Sequence, residues 1–186
     1  MNYEHLSIAG LVLFKPKRFE DDRGYFSETF RAAKFKEVIG QDIDFVQDNR
    51  SYSKSIGTVR GLHYQSPPFG QGKLVSCCQG AITDVAVDVR KGSPSFGQYI
   101  CAELNEENGH QLWIPEGFLH GFVTREPHTI VQYKCTNYYA PECDGAVLWS
   151  DEDLAIDWKI SGDHIVSDKD ANAQSFKEFG TPFTYE

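Results

Sequence analysis

Short β-branched and aromatic runs, each cut off within about eight residues by Gly, Pro, Asn or Asp, fill the chain from Gly24 to Asn137. The run at Asp84–Val89 sets Val85, Val87 and Val89 against Asp84, Ala86 and Asp88, the period-two pattern of a half-buried strand. It stops at Lys91-Gly92-Ser93-Pro94, which has turn chemistry. Further strands are expected at Gly24–Phe30, Val46–Ser51, Thr58–Gln65, Lys73–Cys78, Gln98–Glu103, Gln111–Ile114 and Ile130–Asn137. Only Arg31–Ile39 reads as a clear helix, with Ala32, Phe35, Val38 and Ile39 on one side and Gly40 at the left-handed stop position. Short helices are also expected after about Asp151. Many short strands at close spacing mean an all-β sandwich, jelly roll or barrel.

The 186 residues fit a single domain, 1–186, with no repeat or linker. Met1–Gly10 has neither the basic start nor the apolar run of a signal peptide, and no stretch reaches the length of a membrane helix. A net charge of −9 argues against nucleic acid as a partner, yet a diphosphate needs only a few local cations. Cysteines 77, 78, 101, 135 and 143 contain no C-x-x-C pair, so free thiols in a reducing cytoplasm are expected, and a zinc site is not.

Several strands carry chemistry. Arg23 stands at the entrance of a strand on which Phe26 and Glu28 share a face, a pattern that also fits a surface charge pair around a core ring. Gln47 and Asn49 share a face, where inward amides would bind sugar or base groups and outward ones would mean nothing. In Val59-Arg60-Gly61-Leu62-His63, strict alternation separates Arg60 from His63; both reach one pocket only if Gly61 marks a bulge or Arg60 lies at the rim. Lys73 opens an apolar strand and points either to water or to an anion inside. Trp113–Phe122 reads as a turn between strands that carries His120 amid aromatics. Tyr133 shares the apolar face of Val131 and Cys135, and Ser167-Asp168-Lys169-Asp170 alone would be a solvated charge run. Spread over different strands, these groups form what a site inside a barrel requires.

Taken in order, the motifs resemble the dTDP-4-dehydrorhamnose 3,5-epimerase family from about Phe14 to Asp170. They include D-x-R-G-Y-F at 21–26, V-Q-D-N at 46–49, V-R-G-L-H-Y-Q at 59–65 and Q-G-K-L-V at 71–75. They continue with D-V-A-V-D-V-R-K-G-S-P-S-F-G at 84–97, L-W-I-P-E-G-F-L-H-G-F at 112–122, Y-K at 133–134, N-Y-Y-A-P at 137–141 and S-D-K-D at 167–170. The resemblance implies a metal-free, cofactor-free cupin-type jelly-roll barrel with a few short peripheral helices, working as a homodimer on a dTDP-linked 4-keto-6-deoxy sugar. It makes His63 a general base polarised by Asp170, Tyr133 the acid on the far face of the sugar, and Lys73 the group that meets the enolate oxygen. Arg23, Arg60, His120 and Lys169 become ligands of the diphosphate or sugar. Phe26, Glu28, Gln47 and Asn49 become walls and hydrogen-bonding groups, partly supplied across the dimer. Relatives often carry Glu before Gly145, where this chain has Asp144, which touches one substrate contact and not the chemistry.

That chemistry is coherent. C3 and C5 of a 4-keto hexose both flank the carbonyl, so either deprotonation gives an enolate on one shared oxygen, and inversion needs a base and an acid on opposite faces. A metal-dependent cupin would need clustered His ligands, and Gln65 stands where a second His would serve. The nearer alternatives are a 3-only epimerase or a 3,4-ketoisomerase of a related sugar nucleotide. A non-enzymatic sugar-nucleotide binding module would have no use for the base and acid together.

Overall fold

The computed structural model describes Asn2 to Tyr185; Met1 and Glu186 of the expected 1–186 unit lie outside the described residues. In chain order the strands are β1 (Asn2–His5), β2 (Val12–Lys15), β3 (Arg18–Asp21), β4 (Gly24–Ser27), β5 (Gln47–Ser53), β6 (Val59–Gln65) and β7 (Lys73–Gln79). They continue with β8 (Ala81–Asp88), β9 (Tyr99–Asn105), β10 (Gln111–Ile114), β11 (Phe118–Thr124), β12 (Thr129–Cys135) and β13 (Asp144–Ala146). Two helices, α1 (Ala32–Ile39) and α2 (Asp168–Ala171), and one 3-10 turn at Pro141–Cys143 complete the set. An antiparallel sheet in the order β1-β2-β10-β7-β12-β5 faces a second, β13-β6-β11-β8-β9, while β3 and β4 form a separate hairpin. This is the jelly-roll barrel with short peripheral helices that the sequence led us to expect.

Three apolar layers hold it together. Between the sheets, Val75, Cys77 and Val131 of one pack with Ile82, Ala86, Leu104, Phe118 and Phe122 of the other. Outside the six-stranded sheet, α1 lays Phe35 against Phe14 and Trp113, with ring centroids 5.5 and 5.1 Å apart. Outside the five-stranded sheet, Val85, Val87, Leu119 and Val123 are covered by Leu154, Trp158, Phe179 and Phe183 of the C-terminal segment. Burying a side chain of this size contributes about 1.5–3 kcal/mol, so the outer covers add to stability beside the central layer.

Several expectations need correction. β8 is not half-buried: every residue from Ile82 to Asp88 is buried. Its valines point outward beneath the C-terminal cover, and the face that reads as polar, with Asp84, is the barrel interior. The stretch Trp113–Phe122 is not one turn; only Pro115-Glu116-Gly117 turns, and His120 sits in the middle of β11. The strand from Gly24 ends at Ser27 rather than Phe30, because Ser27 pairs with Arg18 and the opposing chain then meets Pro16, which has no N–H to give. Glu28 thus leaves the strand and pairs with Arg31. α1 stops as expected, with Gly40 at φ 76° and its N–H on the Lys36 carbonyl.

Candidate functional site

The site is built from facing walls. On the inner face of the five-stranded sheet lie Arg60 and His63 of β6 with His120 and Phe122 of β11. On the six-stranded sheet lie Lys73 of β7, Tyr133 of β12 and Ser51 of β5, and the segment Ile165–Asp170 closes one side. Together they line a cavity of about 430 Å³. A second hollow, about 210 Å³, lies outside the six-stranded sheet beneath the β3–β4 hairpin, and among its lining residues no His faces a carboxylate.

Arg60 and His63 share this cavity because of a bulge. His63 stands opposite His120 and Arg60 opposite Phe122, so Gly61 and Leu62 together face the single residue Gly121. The Gly61 backbone, at φ 131°, approaches so closely that an added Cβ would lie 2.6 Å from the Gly121 Cα. Only glycine fits there, and the extra residue turns His63 back to the interior face.

His63 Nε2 lies 2.7 Å from Asp170 Oδ1. The second Asp170 oxygen accepts from the Gly61 N–H at 3.2 Å, and the Asp170 N–H is capped by the Ser167 hydroxyl at 3.2 Å. Burial alone would raise the Asp170 carboxyl, but the hydrogen bond and charge of His63, with the Gly61 N–H and Ser167, together hold the group below its ordinary value. An ionised carboxylate only accepts, so the proton of neutral His63 sits on Nε2 and the lone pair of Nδ1 is free to act as a base.

Lys73 has no carboxylate within ion-pair distance among the described residues; its Nζ lies 6.0 Å from the Tyr133 ring centre. Burial pushes its ammonium down, opposed by Cys135, Asp84 and Asp144. A cation without a paired anion in a low-dielectric cavity is preorganised for an arriving negative charge. Burial also pushes the Tyr133 hydroxyl up, so the phenol keeps its proton at neutral pH.

The amides of β5 do face inward. Gln47 donates to Asn49 at 3.0 Å and accepts from the Tyr139 N–H at 2.9 Å, and Asn49 stands directly opposite Tyr133 in the β5–β12 pair. Arg60 donates to the Ser53 hydroxyl and the Tyr52 carbonyl at the rim. Asp144 binds Lys169 and accepts from the Tyr139 hydroxyl at 3.3 Å. Arg23, Phe26 and Glu28 are not brought to the cavity within one chain: the β3–β4 hairpin forms a separate sheet, Arg23 pairs among the described residues with neighbouring Asp21 alone, Glu28 pairs with Arg31, and Phe26 is 70% exposed. The sequence reading missed Asp84, which binds His120, and Ser167; the S-D-K-D motif at 167–170 carried a signal for the second, since Ser three residues before Asp is a helix-capping pattern. Among the described residues no three His, Cys, Asp or Glu are grouped to hold a metal ion, and no helix is long and apolar enough to cross a membrane.

The comparisons agree with this geometry. The family model for dTDP-4-dehydrorhamnose 3,5-epimerase matches residues 5–178. A dTDP-4-dehydrorhamnose 3,5-epimerase of Sinorhizobium fredii (strain NBRC 101917 / NGR234) is 48% identical over 185 residues, covering 100% of this chain and 94% of that one. The crystal structure of a dTDP-6-deoxy-D-glucose-3,5-epimerase from Legionella pneumophila Philadelphia 1, in complex with dTDP-4-keto-L-rhamnose, superposes with a TM-score of 0.95 at 43% identity, covering 100% and 98% of the two chains. A 3'-monoepimerase from Streptomyces bikiniensis, in complex with dTDP-quinovose, gives 0.88 at 34% identity over 92% and 86%. With its barrel, its His63–Asp170 pair and a family match over nearly its whole length, this chain belongs to the dTDP-4-dehydrorhamnose 3,5-epimerase family.

Proposed function

We propose that this protein inverts C3 and C5 of dTDP-4-keto-6-deoxy-D-glucose through enolate intermediates, giving dTDP-4-dehydro-L-rhamnose. The observation that carries the reading is that His63 and Tyr133 enter one cavity from opposite sheets, with Lys73, which has no carboxylate partner among the described residues, beside them. His63 Nδ1 takes the proton from the carbon next to the carbonyl, and the resulting imidazolium is held by Asp170. The electron pair moves onto the carbonyl oxygen, where Lys73 meets it; a preorganised group in that position is worth about 3–4 kcal/mol. Tyr133 then returns its phenol proton from the other face, which inverts the centre; the His63 imidazolium gives up its proton to water and the Tyr133 phenolate takes one from water before the second centre reacts.

The remaining assignments follow the same reading. Arg60 and Lys169 hold the nucleotide end, and Asp144 orders Lys169 at the rim. Gln47 and Asn49 fix the wall beside Tyr133. Arg23, Phe26 and Glu28 reach the cavity of a second copy, so the working unit is a homodimer in which each 1–186 domain completes its neighbour. The five free thiols suit a cytoplasmic enzyme. No cofactor enters the scheme, because base, acid and oxyanion partner are all side chains.

The test is to incubate the protein with the 4-keto-6-deoxyglucose nucleotide in deuterated water and follow C3 and C5 by proton NMR. Exchange and inversion at both carbons are expected. Exchange at C3 alone would make the protein a 3-only epimerase, interconversion of the C3 and C4 functions a ketoisomerase, and tight binding without exchange a binding module.

A further inference from the structure

His120 makes a second histidine–carboxylate pair on the cavity wall, and the scheme above gives it no step. Its Nε2 lies 2.7 Å from Asp84 Oδ1, and both side chains are buried, 8% and 0% exposed. Asp84 has no other hydrogen bond among the described residues: its Oδ2 is buried and unpartnered. His120 Nδ1 likewise has no partner among the described residues, although the ring lines the cavity. His120 stands directly opposite His63 in the β6–β11 pair, so both imidazoles lie at one level of the barrel.

A carboxylate can only accept, so the His120 proton sits on the nitrogen facing Asp84 and the cavity-facing nitrogen is left with a lone pair. A diphosphate, itself all acceptor, gains nothing from such an atom. A sugar hydroxyl does. We propose that Asp84 is a positioning residue that fixes His120 as the Nε2–H tautomer, so that Nδ1 accepts a hydrogen bond from a ring hydroxyl of the sugar and takes no part in holding the diphosphate. Burial favours the neutral ring and lowers the His120 pKa most; Asp84 opposes it through its charge and its hydrogen bond, and Lys73 and His63 lower the pKa further. On a 4-keto-6-deoxy sugar the available hydroxyls are those on C2 and C3. The inference rests on the proposed substrate, and the test below keeps the two apart.

Three measurements on the full chain decide it. Imidazole ¹⁵N NMR at neutral pH should show His120 Nδ1 bare; a proton on Nδ1 overturns the proposal. Removing one of the two hydroxyls, in 2-deoxy and 3-deoxy analogues of the dTDP-4-keto sugar, should lower kcat/KM for C5 exchange about tenfold or more, since a buried acceptor is then left unpaired. His120→Gln keeps an N–H toward Asp84 and removes the acceptor at the Nδ1 position; in this variant the same deoxygenation should matter less than about twofold. Asp84→Asn, whose amide can donate to Nε2 and drive the proton to Nδ1, should erase the discrimination in the same way. Two unaffected analogues, or a penalty that persists in full in His120→Gln, refute it. By calorimetry dTDP should bind wild type and His120→Gln equally, and a tenfold loss would assign His120 to the diphosphate instead. If wild type fails to exchange the parent sugar, the proposed function falls, while the ¹⁵N and dTDP results still judge the tautomer and the ligand of His120.

Discussion

Asp170→Asn keeps the shape of a side chain and removes its charge, which isolates what the carboxylate does for His63. The imidazolium formed on proton abstraction has Nε2 2.7 Å from Asp170 Oδ1. Unit charges about 4 Å apart at an effective dielectric near 20 attract by about 4 kcal/mol. The His63 side chain is 33% exposed and that of Asp170 5%, so solvent weakens the pair, to ~3 kcal/mol by discounting for screening. At ~1.4 kcal/mol per factor of ten, that is about a 10²-fold loss in rate. An Asn that turns its amide N–H toward Nε2 also moves the imidazole proton to Nδ1 and removes the base, which extends the expected range to ~10³-fold. The assay is deuterium incorporation at C3 and C5 by NMR, beside a thermal melt to establish that the variant is folded. Both carbons should slow together, because one base serves both. A folded Asp170→Asn protein that exchanges either carbon within about threefold of the wild-type rate refutes the pairing as the source of His63 basicity.

Tyr133→Phe should leave enolate formation intact and remove the acid. Deuterium should enter recovered substrate of unchanged configuration while inverted product becomes scarce, and normal inversion would reduce Tyr133 to a core ring. Gly61→Ala should destabilise the fold by ~2–4 kcal/mol, since its Cβ would strike the Gly121 backbone at a φ that suits only glycine; a melt unchanged from wild type would mean that the β6–β11 bulge is not rigid. Asp88 is buried, which raises its pKa, but Arg90, Ser93 and Ser95 lower it by more, to below the ordinary value. A group lowered on folding stabilises above its unfolded pKa of about 4, and that contribution is lost as pH falls through the folded value. Asp88→Asn should therefore lower Tm at pH 7 and flatten the acid limb below about pH 4, and a limb like wild type would show that Asp88 carries no such linkage.

The sequence carried most of the strands because many of their ends are chemical: Gly and Pro clusters bound them, and β10, which Pro115 follows, spans the expected Gln111–Ile114. It also carried the Arg60–His63 problem and two ways to solve it, a bulge at Gly61 or Arg60 at the rim, and the structure has the bulge. Two things were hidden. Period two reports that a strand has two faces, not which of them the barrel encloses. With both faces of β8 covered, the valines are buried outside the barrel under the C-terminal segment, while Asp84, which looked like surface, is buried on the barrel's inner face. The approach of Asp170 to His63 has no local signature, because the residues are 107 positions apart and Ser167-Asp168-Lys169-Asp170 has the composition of an exposed run. That pairing came from the family resemblance and not from spacing. Arg23, Phe26 and Glu28 also entered through the resemblance, and one chain alone leaves them outside the cavity.

The C-terminal cover of the five-stranded sheet has a consequence for how the protein is made. A ribosome finishes every strand of both sheets before Trp158, Phe179 and Phe183 exist, so the valine face of β8 waits in solvent for its cover. High contact order of this kind slows folding and exposes apolar surface to neighbouring chains, which is the interval in which a chaperone has something to hold. The same late segment brings Asp170 to His63. A nascent barrel with both sheets already paired therefore still lacks the partner of its base. Docking of one stretch of chain both hides the apolar surface and completes the His63–Asp170 pair.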